Sequence, residues 1–153
     1  MNILLHQSQF NYNYIYFKEK IKNTVYNNSN FIRIYYSQRY FTMNCISLLI
    51  PLKNLKITRN GNKHIGHINK ILNNDIVIFI KNIETYLLNI CNIKNKEQVL
   101  SLQNQLDNKF IKIYNIDDEH SNQISNLHLK ISGIWETNTS YGITYKFLAV
   151  NKL

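Results

Sequence analysis

The last quarter of the chain alternates too regularly to be anything but a β-hairpin. Leu127, Leu129, Ile131, Gly133 and Trp135 fall on one side of a two-residue period, with His128, Lys130, Ser132 and Ile134 on the other. After the polar loop Thr137-Asn-Thr-Ser140 the alternation resumes at Tyr141, Ile143, Tyr145 and Phe147. Such a period puts successive side chains on opposite faces of a sheet, so each run has one face for a core. Two strands alone are marginal in water, so a chain ending this way needs further strands to pair with them.

Those strands are legible upstream. Residues 31–36, 41–46 and 48–50 are rich in β-branched and aromatic residues. Pro51 pushes Ile50 to an extended conformation and marks a strand end or edge. Residues 55–59 and 63–68 flank Asn60-Gly61-Asn62, and Asn-Gly tolerates the positive φ of tight hairpin turns. A strict two-residue turn opposes Ile57 with His64; a three-residue loop with a bulge opposes Ile57 with Ile65 and Arg59 with Lys63. The second register is expected, because it pairs apolar with apolar. A long helix is predicted behind a cap at Asp75, with Ile76, Phe79, Ile80, Ile83, Leu87 and Ile90 as its buried stripe and Lys81, Glu84 and Asn89 off it. A weaker helix is expected over 96–106 and a strand over 110–114. Residues 1–30, aromatic and polar by turns and ending in a polar run at 27–30, are expected as an N-terminal strand or mobile arm. The sum is a mainly β, α+β chain of roughly five to seven strands with one or two helices, read as a small antiparallel β-barrel capped by a helix and occupying residues 31–153.

The formal net charge is +9, and its placement matters more than its size. Between Glu19 and Asp75 there is no acidic residue, yet Lys20, Lys22, Arg33, Arg39, Lys53, Lys56, Arg59, Lys63 and Lys70 all lie there. The other nine of the 18 bases are balanced by the 9 acids elsewhere. An AT-rich coding bias accounts for abundant Lys, Asn, Ile and Tyr, but not for the missing acids. A folded segment with positive charge alone repels itself unless an anionic partner neutralises it. A polyanion is therefore the expected partner, with a simply solvated basic face as the alternative.

Several classes are disfavoured. Cys45 and Cys91 sit in separate apolar segments with neither disulfide-framework nor metal spacing, and read as buried thiols of a reducing, intracellular compartment. No apolar run reaches the ~18 residues of a membrane span, and no secretory pattern is visible. His64 and His67 form an H-x-x-H in a hairpin, not on a helix, with only His120 or His128 as obvious further donors, so no metal is expected. Asp117-Asp118-Glu119-His120 offers Mg²⁺ ligands of the kind a nuclease uses, but three consecutive carboxylates on a loop are expected to be solvated. With no Gly-rich phosphate loop, nucleophile elbow or Cys/His dyad, neither a catalytic centre nor a cofactor is expected.

Two runs carry a resemblance. Leu129-Lys-Ile-Ser-Gly-Ile-Trp135-Glu136 followed by Tyr141-Gly-Ile-Thr-Tyr145-Lys146-Phe147, and Pro51-Leu-Lys-Asn-Leu-Lys-Ile-Thr-Arg59-Asn-Gly61-Asn-Lys63 with Gly66-His67 after it, resemble stretches of small OB-fold-like single-stranded DNA-binding proteins of large DNA viruses and linear plasmid-like elements. They cover about a third of the chain. The resemblance implies an OB-like nucleic-acid-binding domain, a non-enzymatic role in replication or recombination, and a location in a host nucleus or cytoplasm.

Binding a single strand asks for cations along the phosphates and aromatic faces for the bases, each stacked base being worth roughly 1–3 kcal/mol. The candidate cations are Arg33, Arg39, Lys53, Lys56, Arg59, Lys63 and Lys146, helped by Lys130. The candidate stacking residues are Tyr36, Trp135, Tyr141 and Tyr145, with Tyr35 and Tyr40 behind them. Tyr35 and Tyr36 point to opposite faces of a strand, so only one can stack; Tyr36 is assigned that role. Gly133 and Gly142 inside strand patterns are read as bulges rather than as places of close ligand approach. The expected function is a sequence-tolerant coat for single-stranded DNA, or RNA, acting alone or as a homo-oligomer. The alternative is a structural or interaction protein that docks an acidic partner through its basic segment.

Overall fold

The computed structural model describes residues 3–24, 28–117 and 124–150. Asp118, Glu119 and His120 of the carboxylate cluster, and Asn27 of the polar run, lie outside the described residues.

The C-terminal hairpin forms as β10 (Asn126–Glu136) and β11 (Ser140–Ala149), and β10 is the strand on which the sheet is assembled. One edge pairs antiparallel with β11. The other pairs with β5 (Ile46–Pro51) over residues 126–131 and then with β3 (Asn30–Gln38) over residues 133–136. Where the partner changes, a bulge separates Ile131 from Gly133. One surplus residue reverses the phase of the side chains. Ile131 and Ile134 are both fully buried, whereas Gly133 and Trp135 pair with Thr144 and Gly142 and join the face of Lys130 and Lys146. The unbroken alternation expected over 127–135 is corrected past Ser132.

Three short strands, β1 (Ile15–Phe17), β2 (Ile21–Lys22) and β4 (Phe41–Met43), pair with β3. Beyond β11 come β8 (Glu97–Val99) and β9 (Phe110–Tyr114), both parallel to it, then β7 (Lys63–His67) and β6 (Lys56–Asn60), antiparallel. The path β1-β3-β10-β11-β9-β7-β6 ends in two strands that do not meet, so the eleven-stranded sheet is open. This corrects the expected closed barrel: the position beside β3 that closure requires is filled by β1 and β2 rather than by β6. Among the described residues the chain is nonetheless mainly β with two α-helices, an α+β architecture.

The β6–β7 hairpin adopts neither register weighed above. Its turn is Gly61-Asn62, with Gly61 at φ +62 as a type II′ turn requires at its first central residue. Arg59 faces His64 and Asn60 faces Lys63, which keeps the two cations from direct opposition. Ile57 faces Gly66, whose missing side chain leaves room for Leu55, Ile111 and Ile113.

The helices α1 (Asn74–Ile90) and α2 (Ser101–Asp107) cover one face of the sheet. None of the described helices is long and apolar enough to cross a membrane. The N-cap position of α1 is Asn73, not Asp75, and the Asn73 side chain bonds Lys53 and Asn69 instead of capping; Asp75 stands in the first turn, where its charge suits the helix dipole. Glu84, expected on the polar side, is fully buried on the same stripe as Ile80, Ile83 and Leu87. Its carboxylate accepts the N–H groups of Leu102 at 3.0 Å and Gln103 at 2.8 Å, orphan donors in the first turn of α2. Burial raises the Glu84 pKa and these bonds partly restore it. The second helix starts five residues later than expected, because residues 97–99 add a strand to β11.

The N-terminal residues pack onto this body. Leu5 bridges Leu48, and Phe10 and Tyr14 place their rings against Tyr36, whose hydroxyl accepts the Asn11 N–H at 3.1 Å. Phe10 and Tyr12 continue to Phe79 and Tyr86 of α1.

At the end of β10 the buried carboxylate of Glu136 receives Lys20 at 2.8 Å, Lys96 at 3.1 Å and the Asn30 amide at 3.2 Å. Burial alone pushes this carboxyl up, but the three donors outweigh it and hold its pKa at about 2. A carboxyl depressed on folding stabilises the protein above its unfolded pKa and ceases to as pH falls through the folded value. Glu136→Gln is therefore expected to lower the urea midpoint at neutral pH, with the gap to the wild-type chain closing between about pH 4.5 and 2. Urea titrations of both proteins across that range check it; a gap that stays constant contradicts the assigned ion pairs.

Candidate nucleic-acid interface

With the helices on one side, alternation assigns the residues of the other. From the β6 edge inward, the open face presents Lys56 and Thr58; Lys63, Ile65 and His67; Phe110, Lys112 and Tyr114; Lys146 and Leu148; and His128 and Lys130. Past the bulge it continues with Trp135, then Phe31, Arg33 and Tyr35 of β3, then Tyr16 of β1. No carboxylate occurs among these residues; Glu97 of β8 and Glu19, which lines a pocket with Lys18, Arg33 and Tyr35, stand at the margin.

The aromatic rings on this face lie beside cations. Lys112 and Lys146 place their ammonium groups 4.7 and 5.1 Å from the centroid of Tyr114. Arg33 lies 5.7 Å from Phe31, and Lys18 lies 5.8 Å from Tyr35, which stacks on Tyr16 at 5.2 Å. His67 meets Phe110 edge-on at 4.9 Å, with its Nε2 2.9 Å from the Thr58 hydroxyl. Phe110 is 50% exposed and Tyr16 is 44% exposed, so both offer ring surface to solvent. His128 sits lower: its Nε2 is buried without a partner, and burial together with Lys130 holds its pKa down.

Two glycines seat the central rings. A Cβ on Gly142 would stand 2.7 Å from the Trp135 indole and 2.9 Å from the Val99 carbonyl; one on Gly133 would stand 2.4 Å from both the Phe31 ring and the Ile32 carbonyl. The close approach is thus made by the protein's own aromatic rings, and the bulge lies at the residue before Gly133. A groove of about 800 Å³ runs alongside, lined by Asn23, Ser29, Phe31, Trp135, Thr137, Ile143, Thr144 and Tyr145.

The residues singled out from the sequence divide. Arg33, Lys56, Lys63, Trp135 and Lys146 share the open face. Arg59 alternates to the opposite side of its ribbon, with its Nε donating to the Gly61 carbonyl at 2.9 Å. Arg39 and Lys53 are exposed at turns, Arg39 beside the Tyr40 ring. Three of the four assigned stacking residues are corrected. Tyr36 is 0% exposed at the junction of the N-terminal segment and the sheet, and Tyr141 is 4% exposed, so neither has a ring face for a base. Tyr145 points toward α2, donating its hydroxyl to Gln105 at 3.0 Å, and burial first and the Glu84 charge second push its pKa up to about 12. Tyr35 lies on the open face in place of Tyr36. Phe110, Lys112 and Tyr114 lie outside both the acid-free segment and the two runs that carry the resemblance; the signal for them is the strand-like run 110–114, which carries a lysine between two aromatic residues.

Two carboxylates off this face each collect two lysines: Glu136 takes Lys20 and Lys96, and Asp107 takes Lys70 and Lys81. Two of the nine bases in the acid-free segment, Lys20 and Lys70, are thereby engaged inside the protein. Cys45 and Cys91 are free and only partly buried. Among the described residues, no three of His, Cys, Asp and Glu group as metal ligands.

No protein-family model, curated protein or solved structure matches the chain.

Because Trp135 is the only tryptophan, it reports directly on this seat. Gly142→Ala is expected to displace the indole, lower stability, and make its fluorescence more readily quenched by acrylamide. An unchanged quenching constant in the folded variant contradicts the packing of Trp135 on Gly142.

Proposed function

We propose that the chain binds single-stranded nucleic acid, DNA in the first place, across the open face of its sheet, as a non-enzymatic coat or carrier of strands in replication or recombination. The observation that carries the reading is the composition of that face: cations beside partly exposed aromatic rings on successive strands, with the carboxylates Glu19 and Glu97 at its margin. Lysine and arginine replace the counterions along phosphates, and rings accept any base because every base has a π-face. A duplex keeps its bases stacked on one another, so exposed rings serve an unpaired strand better. Contacts to phosphates and to ring faces carry no base-edge information, which favours tolerance of sequence. The resemblance of residues 51–67 and 129–147 to OB-like single-stranded DNA-binding proteins leans the same way.

The test is a titration of Trp135 fluorescence with oligo(dT) and with a duplex of equal length at two salt concentrations. Quenching by the single strand, weakened by salt, supports the proposal; no response to either nucleic acid at low salt overturns it. Displacement of oligo(dT) by polyglutamate at equal charge, with no preference for the nucleic acid, favours docking of an acidic protein instead. In the Lys56→Ala/Lys63→Ala variant, the slope of log Kobs against log salt is expected to fall by about 1.4, at roughly 0.7 for each lost single-strand contact. Affinity should fall alike for all base compositions, and an unchanged slope removes the β6–β7 hairpin from the interface.

A further inference from the structure

The open face has a centre of charge that its composition alone does not reveal. Lys146 stands directly opposite Lys130 in the β10–β11 ladder. The pairing of Phe147 with Ile113 places Lys146 beside Lys112 on the other flank. Three lysines thus stand abreast on three adjacent strands, each strand about 4.8 Å from the next. The same level continues into uncharged Ile65 on one side and Ser47 on the other, so the cluster is bounded. Two of its ammonium groups lie 4.7 and 5.1 Å from the centroid of one ring, that of Tyr114.

Like charges directly opposed across a ladder destabilise it. Elsewhere this protein answers convergent lysines with a carboxylate, at Glu136 and at Asp107. Here none of the three lysines pairs with an acid among the described residues. The cluster is arranged for an anion from outside: lysine serves as a point charge for phosphate, and the ring of Tyr114 draws two of the ammonium groups to one place.

We propose that Lys112, Lys130 and Lys146 form a phosphate-binding site around Tyr114, and that this site anchors the backbone of a bound strand at the middle of the face. The inference rests on the nucleic-acid reading for the source of the phosphate, but not for the site itself. A site that exists for a ligand makes a signature that a structural cluster does not: removing its charges raises stability and lowers affinity together.

The experiment compares the full chain with Lys130→Gln/Lys146→Gln, measuring thermal midpoint and oligo(dT) affinity. The double variant is expected to melt higher and, at 0.1 M salt, to bind oligo(dT) about 25-fold more weakly, two contacts at about 0.7 log units each. A variant that melts lower shows that the lysines support the fold and overturns the proposal. So does wild-type affinity in the variant, while leaving binding elsewhere on the face intact. A parallel titration of ¹⁵N-labelled protein with inorganic phosphate separates the two readings. Shifts confined to the backbone amides around Lys112, Lys130 and Lys146, in a protein that ignores oligo(dT), uphold the anion site and remove its nucleic-acid source; no shifts with either ligand overturn both.

Discussion

A single surplus residue in β10 governs what this protein can present. The strand serves two partners along one edge, β5 in its first half and β3 in its second, and the bulge sits at the change. Without it, Trp135 would turn toward the helices and Ile134 and Glu136 toward solvent. With it, Ile134 completes the core, Trp135 lies on Gly142 in the open face, and Glu136 is carried inside. A buried carboxylate is tolerable only when it is fully bonded, and Lys20, Lys96 and Asn30 provide that from three separate parts of the chain. The same bulge that exposes the indole therefore also pins the strand to β2, β3 and the approach to β8.

The two faces of the sheet follow different electrostatic rules. On the helix side and at the rim, charges are matched: Glu84 caps α2 from within the core, and Glu136 and Asp107 each gather two lysines. On the open side, the cations have aromatic rings for neighbours, and the carboxylates Glu19 and Glu97 stand at its margin. Rings tolerate nearby cations without neutralising them, so the field of that face remains directed outward. A face evolved only for solubility would gain from interspersed acids, which relieve repulsion at no structural cost. The separation of matched and unmatched charge by face is what gives the surface a definite kind of partner.

Much of the scaffold was legible in the sequence because a period is a local property. The two hairpins, the long helix and the strand at 110–114 all follow from spacing and turn residues. Phase is not local. Alternation in residues 127–135 could not show that Ser132 is surplus, because the bulge is set by where β5 ends and β3 begins on the partner edge. Tyr35 and Tyr36 likewise differ only in which side meets Phe10 and Tyr14, a contact more than twenty residues distant. Glu84 looks polar in sequence and becomes a core residue because the first turn of α2 arrives with unpaired N–H groups. The Gly61-Asn62 turn slid by one residue for a related reason: glycine, not asparagine, had to occupy the position of positive φ.

The acid-free segment and the open face overlap without coinciding, and the difference is instructive. Lys20 and Lys70 belong to the segment but are engaged by Glu136 and Asp107. Arg39, Lys53 and Arg59 fold away from the face or to its margin. Lys112, Lys130 and Lys146 lie in the electrically balanced part of the chain, yet they stand abreast on three adjacent strands of the sheet. Balance along the chain is thus no guide to balance in space, since the acids that cancel these lysines in a count are placed elsewhere by the fold. What a polyanion meets is the local excess of cations within a Debye length of the surface, about 10 Å at 0.1 M salt. By that measure the hairpin at the end of the chain contributes as much as the basic stretch near its beginning.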